Sequence, residues 1–456
     1  MATLTQAAPR AIKQRTRRTD RDLLADLFMA TWLCVLLQGA LRKWFFPGSA
    51  ALYLIQDVPL TFAYIFAFRK GLVWGSRLAW MCLVVSAVLA VQALLQVIFG
   101  NLQLRTAVMG MHQYVYYLPI LFIAPVCFNF KFRRRFVRWN LLIVVPMALI
   151  AALQSRAPKG AWINRTSAGE DTGLGGLGAG HVRATGTFNF TVSYALWCGF
   201  AVGLVMGEWL LAPNRRNFQS KAMLMICTMG AIVATLVSGS RVAVMLAALA
   251  FLGGFAAVIV TRNVRLIVRF SAVIILLPAL VVISYFAAPA SFSAVVDRFS
   301  GEQNQQSIEQ RIDKMFTAFT WAAGYSGLGV GIGVGIPAAN PGHVAFVLSE
   351  NESIRIVEEM GTYTGTVLVL LRYASGLGLL LLAFRALQLP QGHNLPHAVS
   401  LAFSAAPTIM VGDLTHSAPI TATQAYFWSA LILGALLFRR EPVPATTVPL
   451  SKKRSL

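Results

Sequence analysis

The chain has 456 residues, of which 57% are hydrophobic and only 12% charged, and its formal net charge is +22. Soluble domains carry about 25% charged residues, so this composition excludes an ordinary soluble enzyme. Apolar runs recur from end to end, each long enough to cross a bilayer core of about 30 Å. The expected fold is all-α, a polytopic helical membrane protein. The excess of bases does not point to nucleic acid, because the bases cluster in short segments between apolar runs.

In chain order, residues 1–22 form a basic tail, and the first apolar run, Leu23–Leu41, follows it. This arrangement is like a signal peptide, but the run is too long and lacks a small-residue cleavage site. It is taken as the first span of a single transmembrane domain over 23–438, with a second tail at 439–456. About twelve spans are expected, near 23–41, 50–68, 78–99, 114–130, 139–155, 190–212, 222–238, 242–261, 266–288, 362–384, 398–412 and 424–438. With the N-terminus inside, every inside segment is basic, KFRRRFVR (Lys131–Arg138) most of all. Two long outside loops, near 156–189 and 289–361, hold nearly all the acids outside the tails. By the positive-inside rule both termini are cytoplasmic.

The five cysteines sit inside apolar runs without ligand spacing, and read as small core residues. His181, His343 and His416 stand apart from the cysteines and from each other, so no metal site is expected. The run GLGVGIGVG (Gly327–Gly335) lacks the GxGxxG pattern and the Lys-Ser/Thr of a phosphate loop, and reads as a tight turn with close backbone approach. TGLGGLGAG (Thr172–Gly180) reads as a flexible stretch of the first outer loop. SIEQRIDKMFTAF (Ser307–Phe319) places Ile308, Ile312, Met315, Phe316 and Phe319 on one helical face, with Arg311 off that stripe. It reads as a helix lying on the outer surface.

The candidate chemistry is a set of arginines and carboxylates on the outer side. Arg183, Arg241 and Arg311 are each, singly, head-group anchors. Converging on one site they would hold a phosphate, because guanidinium binds phosphate in a bidentate way. LSENESIRIVEEMGTYTG (Leu348–Gly365) gathers Glu350, Glu352, Glu358 and Glu359 around Arg355, directly before an apolar span. Asp57, Glu208 and Arg372 fall inside or near spans, where charges are functional candidates by default. Asp57, followed by Pro59, is expected at a broken helix or near the outer face. Glu208 is expected near the cytoplasmic end. Asp413 and His416 are candidates to line the same site as the outer arginines.

Four segments in order, SGSRVAVMLAALAFLGG (Ser238–Gly254), SIEQRID (Ser307–Asp313), GLGVGIGVG and ENESIRIVEEMGTYTG (Glu350–Gly365), resemble the O-antigen ligase and O-antigen polymerase superfamily. Arg183, Gly186 and Phe188 match its Arg-x-x-Gly-x-Phe motif; RKWFFP (Arg42–Pro47) and IQDVP (Ile55–Pro59) match more loosely. The resemblance implies an inner-membrane enzyme that moves glycan from an undecaprenyl-diphosphate-linked oligosaccharide on the periplasmic face, without metal or cofactor. It implies Arg241 and Arg311 at the catalytic centre, with Arg183, Asn351, Arg355 and Glu359 contacting substrate. A chain-length regulator, a flippase and membrane lipid are the implied partners. The family's ligases carry His at the position of Glu350, with Asn351, Gly361 and Thr364 fitting the remaining spacing. Glutamate there still serves as a general base, or it pairs with Arg355 and shapes the loop. Glu359, at the head of a helix, is explained as well by the helix dipole as by function. The missing histidine favours a polymerase of O-antigen or exopolysaccharide repeat units over a ligase acting on lipid A–core. A transporter of lipid-linked sugar fits less well, since no repeated halves are evident. A scaffold of an envelope assembly complex would tolerate loss of Arg241 and Glu350.

Overall fold

A computed structural model describes residues 19–49, 51–72, 76–100, 102–166, 176–178, 181–210, 218–261, 264–287, 327–336, 349, 351–387, 395–414 and 419–437, with isolated positions between 289 and 313. Its main helices are α1 (Asp20–Ala40), α2 (Asp57–Arg69), α3 (Arg77–Phe99), α4 (Leu104–Val115), α5 (Ile120–Cys127), α6 (Phe130–Arg156), α7 (Thr191–Leu210), α8 (Phe218–Val237), α9 (Arg241–Thr261), α10 (Val264–Ala287), α11 (Glu352–Met360), α12 (Thr362–Leu387), α13 (Leu395–Val411) and α14 (Pro419–Leu437). A short antiparallel pair, β1 (Gly176–Gly178) and β2 (His181–Val182), is the one sheet among the described residues. The expected spans lie largely on helices, but among the described residues fewer than the expected twelve are long and apolar enough to cross a membrane. Nine helical stretches among the described residues are long and apolar enough to cross a membrane, and two further apolar helices are shorter. The chain is a helical membrane protein.

Local chemistry sets the helix ends. Thr19 caps α1 with a reciprocal capping box to Asp22. The Asn129 Oδ1 accepts from the Phe132 amide at 2.9 Å, and this starts α6 nine residues before the expected span. The basic run KFRRRFVR is therefore helical, not a loop. Its periodicity sorts it: Phe132, Arg133, Phe136 and Val137 are buried, while Arg134 and Arg135 are exposed. The span expected at 114–130 begins earlier and is broken: α4 ends at Val115, a turn covers 116–119, and α5 runs to Cys127. Pro119 has no amide to carry the helical ladder through the turn.

The core is a helical bundle. Phe28, Trp32, Phe128, Phe132, Phe136, Phe427 and Trp428 form one aromatic cluster joining α1, α6 and α14 with the Phe128 turn, at centroid distances of 4.4–5.9 Å. Within it the Trp32 indole donates to the Asn140 side chain at 3.0 Å. Elsewhere small residues let backbones approach, as is usual between membrane helices. A Cβ on Gly199 would lie 2.7 Å from Leu246 of α9, and one on Gly203 would lie 2.9 Å from Leu401 of α13. Ser400 and Ser404 add hydroxyl bonds from α13 to the Ala250 and Leu246 carbonyls of α9, at 2.7 and 2.9 Å.

The second long loop is not a plain surface loop. Its last part, α11, is buried over its whole length and folds back along α12. Gly361, at φ 77°, makes the reversal. A Cβ on Gly365 would lie 2.6 Å from the Val357 Cα, and further down Glu352 meets Arg372. At 1.5 Å per residue Arg372 lies about 15 Å along α12 from Thr362, near the middle of a bilayer-length helix. The N-terminus of α11 therefore points into the bundle.

Candidate functional site

Arg372, expected inside or near a span, lies against three acceptors. Its Nη1 donates to Glu352 at 3.1 Å, its Nε to the Ile409 carbonyl at 2.8 Å, and its Nη2 to the Gly412 carbonyl at 2.6 Å. The last two are free carbonyls at the end of α13, where a cation also suits the helix dipole. Glu352 in turn sits in the first turn of α11, where an anion suits the dipole. It also pairs with Arg355, which reaches Asp413 at 3.1 Å. The Arg355 carboxylate partners are thus Glu352 and Asp413. Glu350, Arg311, His416 and the SIEQRID helix lie outside the described residues.

Asn351 is the N-cap of α11: its Oδ1 accepts from the Ser353 amide at 2.9 Å and the Ile354 amide at 3.4 Å. Glu359 does not sit at a helix head. It lies in the last turn of α11, where a negative charge is disfavoured by the dipole, and other groups hold it. The Gly335 amide donates to it at 2.9 Å, the Tyr114 hydroxyl at 2.9 Å and the Gly333 amide at 3.2 Å. Burial raises its carboxyl above the ordinary range, against the lowering pull of Arg355 and of these donors.

Those amides belong to the glycine run, which is the tight turn its composition suggested. Gly329, Gly331 and Gly333 have φ of 73°, 130° and 87°, and the backbone lies directly on α4. A Cβ on Gly110 would fall 2.7 Å from the Ile332 carbonyl carbon. Two glutamines of α3 fasten the turn: Gln92 and Gln96 both donate to the Leu328 carbonyl, and Gln96 Oε1 accepts from the Ile332 amide at 2.8 Å.

A second meeting joins the two loosely separated motifs. Lys43 of RKWFFP is 1% exposed, and its ammonium donates to Thr185 Oγ1 at 2.9 Å and the Gly186 carbonyl at 2.8 Å. Gln154 of α6 accepts from the Thr185 and Gly186 amides at 3.0 and 2.8 Å. Gly186, at φ 55°, and Phe188, fully buried, fix the loop that carries the half-buried Arg183. The stacked rings of Trp44 and Trp162 cover this junction.

Arg241 is the first residue of α9, reached through Gly239 at φ 63° and a Ser240 amide bond to Ser238 Oγ at 3.2 Å. A cation at a helix N-terminus opposes the dipole, so local stability does not explain it. Glu208 lies near the C-terminal end of α7.

Asp57 opens α2 and is tied to α4. Its Oδ2 is 2.9 Å from His112 Nε2, its Oδ1 accepts from the Tyr117 hydroxyl at 2.7 Å, and its carbonyl accepts from Tyr116 and Thr61 hydroxyls. Sequence reasoning missed His112, Lys43 and the role of Glu352; the loose RKWFFP and IQDVP matches were the available signal.

These groups share one end of the bundle. The end of α1, the starts of α2, α7, α9 and α12, and the ends of α3, α8 and α13 meet there through the Lys43–Thr185, Gln96–Leu328 and Arg355–Asp413 contacts. The opposite end holds Arg133, which donates to the Gly434 carbonyl at 2.7 Å beside a small cavity lined by Val137, Ala398 and Leu431. No protein-family model matches the chain, and neither a curated protein nor a solved structure is similar to it.

Proposed function

We propose that the protein polymerises undecaprenyl-diphosphate-linked oligosaccharide units at the outer face of a bacterial inner membrane. The observation that supports this reading is the gathering of the motif segments, Arg42–Pro47, Asp57, Arg183–Phe188, Ser238–Arg241, Gly327–Gly335 and Asn351–Gly361, at one end of the helices. Segments more than 300 residues apart in the chain share that face. In the mechanism this suggests, the outer arginines, Arg241 foremost, with Arg183 and Arg311, stabilise charge growing on the departing diphosphate. Arg355 and Arg372 are already neutralised by Glu352 and Asp413, so they hold the α11–α12 hairpin together.

The experiment uses purified protein in lipid vesicles given undecaprenyl-diphosphate-linked repeat units, with and without lipid A–core, and sizes the products. A ladder without lipid A–core, lost in Arg241→Ala, supports the polymerase. Product only on lipid A–core makes the protein a ligase. Movement of the lipid-linked sugar across the vesicle membrane with no new glycosidic bond makes it a transporter.

A further inference from the structure

The reading above leaves the Asp57–His112 pair without a role, and its surroundings are unusual. Four buried acceptors here have no hydrogen-bond donor within the protein: His112 Nδ1, Gln56 Oε1, Gln113 Oε1 and Asn189 Oδ1. Buried polar atoms are satisfied in the great majority of cases, so four in one neighbourhood mark a place where donors come from outside the protein, as ordered water or as a ligand. They are connected through Tyr53 and Tyr117. The Gln56 amide nitrogen donates to the Tyr53 carbonyl at 3.2 Å and lies 3.5 Å from the Tyr117 hydroxyl. The Gln113 amide donates to the Tyr53 hydroxyl at 3.3 Å. Asn189 donates to Gln38 Oε1 at 3.0 Å, and Gln38 donates to the Tyr53 carbonyl at 3.2 Å. For Gln56 and Asn189 the acceptors met by the nitrogen fix which end of the amide is oxygen. Gln56, Gln113 and Asn189 are 0%, 1% and 6% exposed.

His112 is fixed in the same way. With the ring proton placed on Nε2 toward Asp57 Oδ2, 2.9 Å away, Nδ1 carries the lone pair. The Tyr116 ring stacks on the imidazole at 5.0 Å and the Tyr117 hydroxyl holds the other carboxylate oxygen, so neither ring nor carboxylate is free to turn. The histidine side chain keeps 18% of its surface exposed, while Nδ1 itself is buried. A set of acceptors with no donors takes a ligand that brings donors, and a sugar ring edged with hydroxyls does so.

We infer that Gln56, Gln113, Asn189 and His112 form the binding site for the hydroxyl groups of the acceptor glycan, with His112 Nδ1 as the base that takes the attacking hydroxyl's proton. This rests on the polymerase reading. In the step, the acceptor O–H bond breaks and its proton passes to Nδ1. The oxygen forms a bond to the donor sugar's C1, and the bond from C1 to the diphosphate oxygen breaks. The electron pair leaves with undecaprenyl diphosphate, and His112 returns its proton to that leaving group or to water. Asp57 is a positioning residue that holds the tautomer.

The test has two arms on the full chain in lipid nanodiscs. The first is nitrogen-15 NMR of the histidine rings during titration with the free repeat-unit oligosaccharide. Wild type is expected to show a proton-free Nδ1 that moves on sugar addition, and Asp57→Asn to lose the single tautomer. The second is turnover on lipid-linked units. His112→Gln and Asp57→Asn are expected to lower kcat by about 10²–10⁴-fold with the donor KM unchanged. If His112→Gln does not fold, Asp57→Asn carries both arms. An Nδ1 signal unmoved by the oligosaccharide, or His112→Gln turning over like wild type, overturns the proposal. A moving Nδ1 in a protein that never turns over lipid-linked units keeps the hydroxyl site and removes the polymerase reading.

Discussion

The buried ions at the base of the α11–α12 hairpin make a quantitative prediction about coupling. The side chains of Glu352, Arg355 and Arg372 are 1%, 3% and 11% exposed. Glu352→Ala removes the carboxylate shared by both arginines, leaving Arg355 to Asp413 and Arg372 to two carbonyls. Uncovering a buried charge in this way costs roughly 3–5 kcal/mol. Arg372→Met alone removes one ion pair and two charge-assisted bonds to the end of α13, each worth about 1.5–3 kcal/mol. It leaves Glu352 still paired with Arg355. In the double variant no charge is orphaned, because Arg355 keeps Asp413 and the Met stem fills apolar space. The double variant is therefore less unstable than the sum of the singles, by about 1–3 kcal/mol. Reversible unfolding in mixed detergent micelles, followed by tryptophan fluorescence, gives the three differences. Additivity within about 0.5 kcal/mol would refute the picture of one shared ion cluster.

Two further outcomes follow from the same face. Gly333→Ala puts a Cβ 2.6 Å from the Thr106 carbonyl oxygen at φ 87°, so it should destabilise by at least the roughly 1–3 kcal/mol of a strained backbone, and thermal unfolding of the purified variant reads it. Glu359 responds to pH. Its carboxyl is raised by burial, so the folded protein binds that proton more tightly than the unfolded chain does. The stability this contributes is full below the ordinary value of 4.5 and is lost as pH rises through the raised value. The unfolding temperature of wild type should fall across that window more steeply than that of Glu359→Gln, and parallel curves would show that Glu359 does not titrate there.

Composition and periodicity made the spans legible because lipid contact demands long apolar helices whatever their partners. The glycine run was legible as a turn because alternate glycines suit close backbone approach, and here Gly333 lies against Gly110. Three things were not legible, each for a physical reason. The α4 break and the early start of α6 depend on one missing Pro119 amide and one Asn129 cap, which hydropathy averages away. The α11 hairpin looked like a loop because its nine residues carry four charges, and only partners distant in the chain, such as Arg372 for Glu352, Asp413 for Arg355 and Tyr114 for Glu359, make their burial tolerable. Lys43 and His112 were passed over because their partners, Thr185 and Asp57, lie 142 and 55 residues away, and no local spacing encodes such a meeting.

The proposed chemistry depends on which side of the membrane this end faces, and the charge pattern commits to an answer. The basic run Lys131–Arg138 and the motif end lie at opposite ends of the bundle, since α6 begins with the one and reaches Gln154 and Gly186 near its finish. By the positive-inside rule the first is expected in the cytoplasm, and Arg42–Pro47 is then expected to face out. Pro47 and Arg134 are both exposed, and the native cysteines are buried apart from the half-buried Cys34, so single added cysteines stand out against them. A membrane-impermeant maleimide applied to intact spheroplasts should label Pro47→Cys and spare Arg134→Cys until the membrane is opened. The reverse pattern would place the motif end in the cytoplasm and remove it from any outer-face donor. Labelling of both in intact cells would mean that the bundle does not divide the two ends between compartments, and the orientation drawn from charge would fall with it.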